Sequence, residues 1–132
     1  MAKAMHAESV YRHLPFNAAK VAAQFVNWMG DPDVRVFCYD QKGQKVGLLV
    51  ASVGTHWFSD GLGAWDHLYY VKPDARGSFA AARLFQAFTA WAKAQGAVDL
   101  WPGVSTGSAA AVTFYRRLGL EEVGGVFRGA IV

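Results

Sequence analysis

The chain of 132 residues predicts a mixed α/β (α+β) domain, with a mostly antiparallel central sheet flanked by helices. Three observations carry that expectation. Apolar residues recur at helical spacing in some stretches and alternate with a period of two in others. The turn Asp40-Gln41-Lys42-Gly43 joins two apolar runs as a β-hairpin. In the second half, a strand, a loop, a long helix and a short apolar strand follow one another, the pattern of a parallel crossover.

Residues 1–10 are helix-compatible, and Arg12-His13-Leu14-Pro15 breaks them. Asn17 is a plausible N-cap for a second helix, whose apolar positions Val21, Phe25, Trp28 and Met29 share one face until Gly30-Asp31-Pro32 stops it. Val34, Val36 and Cys38 alternate with Arg35, Phe37 and Tyr39 in the first strand, and residues 46–55 make the second. A glycine-rich turn, residues 59–63, leads into a third strand over 65–71. The helix that follows places Ala81, Leu84, Phe85, Phe88, Trp91 and Ala92 on one face and ends near Gly96. Residues 97–101 then read as a buried strand parallel to the third. Ala111, Phe114, Tyr115 and Leu118 form the face of a last helix closed by Gly119, and residues 121–123 and 126–132 are expected to finish the chain as a hairpin.

This length predicts one domain over residues 1–132 with a single core. Hydrophobic residues make up 53% of the chain, with five Trp, nine Phe and five Tyr, which argues against disorder. The formal charge of +3 is mild and its basic residues are dispersed, which favours an anionic small ligand over a long nucleic-acid track. Cys38 has no partner for a disulfide and is expected to be a buried thiol, in keeping with a reducing cytoplasm. No apolar run is long enough for a membrane span, and the N-terminus lacks a signal-peptide core. His6, His13, His56 and His67 are scattered without metal-ligand spacing, so no metal site is expected.

The stretch from Trp65 to Leu84, WDHLYYVKPDARGSFAAARL, is where chemistry is expected first. A strand followed by a helix start offers unpaired backbone N–H groups at the positive end of the helix dipole, a natural seat for phosphate. Arg76 adds a planar cation, and Gly77 permits positive φ. The loop contains neither a Walker lysine motif nor G-x-G-x-x-G. It resembles the acetyl-CoA loop of the GNAT superfamily of N-acetyltransferases (Arg or Gln, two residues, Gly, one residue, Gly or Ala). Arg76 and Ala81 match, and Phe79 replaces the middle glycine. The segment from Ala110 to Leu120, AAVTFYRRLGL, is similar to the fourth-helix pattern of that family, with Leu120 in place of its usual Phe. The order of elements also resembles a GNAT domain, with the first strand of the family absent, and small bacterial and phage domains are the most alike.

The resemblance implies acetyl-CoA as co-substrate in an opening between the third and fourth strands, without a metal. It implies backbone contacts to the cofactor from Tyr69, Tyr70 and Val71, a pyrophosphate seat formed by Arg76, Gly77, Ser78, Phe79, Ala80 and Ala81, and a polar contact from Ser105 or Ser108. Acetyl transfer to an amine needs a base, for which Asp66 and His67 are candidates on opposite strand faces, and an acid for the leaving thiolate, for which Tyr115 is the candidate. The implied activity is N-acetylation of a small-molecule or peptide amine. A non-catalytic CoA-binding module and a toxin-type enzyme acting on aminoacyl-tRNA are the alternatives. Without a first strand, residues 34–39 lie at an exposed sheet edge and invite a homodimer.

Overall fold

A computed structural model describes residues 1–131. Its elements are α1 (Ala2–Glu8), α2 (Ala18–Gly30), β1 (Val34–Gln41), β2 (Gln44–Thr55), β3 (Leu62–Val71), a 3-10 turn (Pro73–Ala75), α3 (Ala80–Ala94), β4 (Asp99–Trp101) and α4 (Ala109–Arg117). The strands form one sheet in the order β1-β2-β3-β4, antiparallel except for the parallel β3–β4 pair. No strand precedes α1 among the described residues.

Local chemistry explains where the elements begin and turn. The Asn17 side chain accepts from the Lys20 N–H at 3.0 Å, so α2 starts on a satisfied donor. Between β1 and β2 the connection shrinks to Lys42 and Gly43, both at positive φ (51° and 78°), the mirror-image turn that matches strand twist.

Strand β2 is buried on both faces over residues 46–53 because helices cover the sheet on both sides. Leu49, Ala51 and Val53 meet Leu84, Phe85, Phe88 and Trp91 of α3, with Phe114 and Tyr115 of α4 at the margin. On the other side Leu48, Val50, Leu68 and Tyr70 meet Met5 of α1 and Phe25 and Trp28 of α2. Fully burying side chains such as Leu49 and Phe88 stabilises the fold by about 1.5–3 kcal/mol each.

Three expectations are corrected. Residues 97–101 do not form a buried strand: β4 covers only Asp99–Trp101 at the sheet edge, where Asp99 and Trp101 are exposed. Cys38 is exposed: Val34 and Val36 pack beneath α2, but Cys38, further along the outermost strand, is not among the residues that cluster covers. The C-terminal hairpin is absent over residues 121–131, and Val132 lies outside the described residues. Val126 and Phe127 are 95% and 99% exposed, so this segment has no apolar surface to pack on, and two strands with no face to bury are marginal in water.

Candidate active site

The site begins with an irregularity in β3. Val50 pairs with Leu68 and Ala51 with Asp66, so His67 is an extra residue, a β-bulge. The bulge lets His67 and Leu68 both face α2. The His67 ring stacks on Trp28 with centroids 5.2 Å apart, and its Nε2 lies 2.9 Å from the Ser52 hydroxyl. Asp66 faces the other way, where the Gly103 N–H donates to its Oδ1 at 2.8 Å. Asp66 and His67 therefore serve different faces, as alternation along a strand requires, and the bulge fixes which residue serves which.

A second feature is the splay of β3 from β4. Their parallel pairing covers only Gly63–Asp99, Ala64–Leu100 and Trp65–Trp101, after which Pro102 ends β4 while β3 runs on to Val71. Among the described residues, no strand pairs with β3 on its β4 side beyond Trp65, so the two strands diverge there and leave an opening. The Tyr115 hydroxyl stands at its apex, 3.4 Å from the Gly103 carbonyl it donates to. That is long for an O–H···O bond, so the hydroxyl is weakly engaged. Tyr69 is close by, with its ring centroid 6.4 Å from that of Tyr115, but its hydroxyl is firmly held by the Ala81 carbonyl. Burial, then the Asp66 charge, pushes both phenols far above their ordinary range, so both stay protonated at any working pH. Burial raises Asp66 too, with the Gly103 N–H partly offsetting it, and burial lowers His67 below its ordinary 6.5.

The loop into α3 is shaped by Gly77 at φ 83° and by Ser78, whose hydroxyl donates to the Ala75 carbonyl and accepts from the Ala80 N–H at 3.2 Å. Helix geometry leaves the next amides, Ala81 and Ala82, without acceptors inside α3. Phe79 is 76% exposed, so its ring does not pack into the core beneath the loop. Arg76 is already partnered. Its Nη2 meets Glu8 Oε2 at 2.7 Å, its Nε donates to the Val71 carbonyl at 2.9 Å, and its guanidinium lies 5.3 Å from the Tyr70 ring centre. The Tyr70 hydroxyl donates to Glu8 Oε1 at 2.9 Å, so the Tyr70 side chain belongs to the α1 face. Ser108 caps α4 by accepting from the Ala111 N–H at 3.4 Å, and the Ser105 carbonyl accepts from Val10 N–H at 2.7 Å.

Sequence reasoning missed Glu8, Gly103 and Ser52. Glu8 lies 68 positions from Arg76, and nothing in the chain signals the pairing. Gly103, between Asp66 and Tyr115, is visible beforehand only as part of a Pro-Gly turn. Among the described residues, no group of three His, Cys, Asp or Glu side chains is arranged to hold a metal, and no helix is long and apolar enough to cross a membrane.

The fold recurs in known proteins. The chain is 36% identical over 87 residues to the L-methionine sulfoximine/L-methionine sulfone acetyltransferase of Pseudomonas aeruginosa, a match covering 64% of this chain and 49% of that protein. It thus spans about half the length of this curated relative. A transcriptional regulator from Bacillus halodurans superposes with a TM-score of 0.81 at 16% identity, covering 97% of this chain and 89% of the other. The aminoglycoside acetyltransferase AAC(6')-Iy, solved with a CoA-acetylneamine bisubstrate analogue, gives a TM-score of 0.78 at 15% identity and covers 99% and 89%. Such distant likenesses establish the fold. The profile of the acetyltransferase (GNAT) family matches residues 2–120, and the chain belongs to that family.

Proposed function

We propose that the protein is an acetyl-CoA-dependent N-acetyltransferase that passes the acetyl group directly to a primary amine. The observation that carries this reading is the cleft where β3 outruns β4, with the weakly held Tyr115 hydroxyl at its apex. The free amides at the start of α3 suit a pyrophosphate, and the open edge of β3 over Tyr69 to Val71 suits the amide-bearing arm of CoA. Arg76 adds charge while sharing its guanidinium with Glu8.

The amine nitrogen attacks the thioester carbonyl. The C–N bond forms, the C–S bond breaks, the amine gives up a proton and the sulfur gains one. His67 is the proposed proton acceptor: its lowered pKa keeps it neutral near pH 7, and the ammonium formed on attack is acidic enough for a weak base. Tyr115 is the proposed donor to sulfur. At an ordinary phenol pKa of about 10, donation to a thiol of about 8.5 is uphill by roughly 2 kcal/mol. Burial makes the phenolate costlier still, so its main contribution is a hydrogen bond to the developing thiolate.

The acceptor is a small amine. The relatives act on L-methionine sulfoximine and sulfone in one case and carry an aminoglycoside analogue in the other. The uncovered outer edge of β1 is the proposed pairing surface for a second copy, and a monomeric mass by light scattering at high micromolar concentration overturns that pairing. Calorimetry with acetyl-CoA and a thiol-release assay over a panel of amines test the activity. Binding and amine-dependent release are expected, whereas binding without release from any amine favours a CoA-binding module.

A further inference from the structure

A cavity of about 330 Å³ lies between α1, α2 and β3, on the face of the sheet opposite Tyr115. Its walls include Met5, Leu14, Phe16, Phe25, Trp28 and Leu68, and His67 lines it as well. A ligand amine that reaches His67 from this cavity stands at the bulge of β3, next in sequence to Asp66, whose carboxylate meets Gly103 on the other face. Resting on the acetyltransferase reading, we infer that the acceptor is a compact amine with an apolar body and a carboxylate, the class of apolar α-amino acids, and not a polycation.

The charge of the walls decides between these classes. No aspartate or glutamate lines the cavity. Glu8 on α1 is bound to Arg76 and Tyr70, and Asp66 points to Gly103 on the other face. Lys20 lines the cavity beside Asn17 and Val21, in the first turn of α2, which carries no acidic residue. Its ammonium and the positive end of the helix favour an anion there. A polyamine would bring several ammonium groups to walls that offer no counter-charge, one of them against Lys20, which disfavours it. The volume is near the lower end of ligand pockets, roughly 300–1,000 Å³, which suits an amino acid. Its apolar side chain would lie against Phe25 and Trp28, with the carboxylate toward Lys20 and the amine toward His67.

The test measures acceptor binding apart from chemistry. Calorimetry in the presence of CoA, which cannot turn over, compares L-leucine, L-phenylalanine, L-leucinamide and the polycationic aminoglycoside neamine, and thiol release with acetyl-CoA follows on the same four. The amino acids should bind at least about tenfold more tightly than neamine, because neamine brings several uncompensated ammonium groups where an amino acid brings one ammonium and a carboxylate that can pair with Lys20. Lys20→Ala should lower leucine affinity several-fold and leave leucinamide unchanged. Gln24→Glu, an exposed change on the cavity wall, should narrow the gap to neamine. Neamine binding as tightly as leucine, or no binding of either amino acid, overturns the inference. Release driven by neamine alone overturns it too while sustaining the acetyltransferase reading. Leucine binding without thiol release supports the cavity assignment and counts against that reading.

Discussion

The two faces of β3 put adjacent residues to unlike uses. Toward α3 and α4, Asp66 sits with Tyr69 and Tyr115 around Gly103, where burial raises the pKa of every acid in the group. Toward α1 and α2, His67 stacks on Trp28 beside an apolar cavity, and burial lowers its pKa. The same physical cause favours the uncharged form of each group. One face thereby keeps its phenols protonated, and the other keeps its imidazole uncharged near neutral pH, the states that the proposed roles of Tyr115 and His67 require. A single bulge separates them, so the division of labour comes from one extra residue in a strand.

The first way to break this comparison is Tyr115→Phe. The rate of acetyl transfer should fall by roughly 10² to 10⁴, the usual contribution of a positioned acid. Acetyl-CoA affinity should hold, and stability should change by no more than about 1 kcal/mol, because the lost hydrogen bond is long and weak. Unchanged turnover would return Tyr115 to the core.

On the opposite face, His67→Gln should lower kcat/KM by about 10² and remove its acid limb, consistent with loss of a general base. In the native protein that limb should have its midpoint below 6.5, since burial lowers the His67 pKa. The sign extends to stability. The unfolded imidazole binds a proton first, so this contribution is present above 6.5 and is lost as pH falls toward the folded value. An acid limb above 6.5, or one that survives His67→Gln, excludes His67.

At the loop, Arg76→Ala should weaken acetyl-CoA binding by about 1.5–3 kcal/mol, the range for a hydrogen bond to a charged group. Glu8→Gln should act in the opposite direction, tightening acetyl-CoA by releasing the guanidinium from its present partner. Calorimetry on both variants gives the answer, and equal affinity in all three proteins would remove Arg76 from the cofactor site.

The smallest effect is expected at Asp66→Asn. The Asn oxygen can still accept from Gly103 N–H, so turnover should stay within a few-fold if His67 is the base, far less than the 10² or more a general base supplies. The raised Asp66 pKa means that the folded state keeps a proton the unfolded state has released. Its contribution favours folding below pH 3.8 and declines as pH rises through the folded value, and the variant should lack that slope in denaturant titrations. A hundredfold loss of rate would move the base to the cleft side.

What the chain made legible was local. Asn17 as a cap, Lys42-Gly43 as a turn and the apolar face of α3 each depend on neighbours within a few residues, and each stands where the pattern puts it. The loop residues Arg76 to Ala81 were locatable for the same reason. What the chain concealed depends on partners far away. The bulge at His67 arises from the register with β2, the pairing of Arg76 with Glu8 joins opposite ends of the domain, and the exposure of Cys38 depends on how far α2 extends over β1. The segment after Gly119 has strand-like composition but no surface to bury it on, and composition alone could not tell those cases apart.

A crystal structure of the protein with CoA bound tests the division between the two faces most directly. The predicted complex has the pyrophosphate on the Gly77–Ala82 loop and the thiol sulfur within hydrogen-bond reach of the Tyr115 hydroxyl, in the cleft where β3 outruns β4. A sulfur lodged on the α1 and α2 face, or a Tyr115 hydroxyl still turned to Gly103 with CoA bound elsewhere, would contradict it.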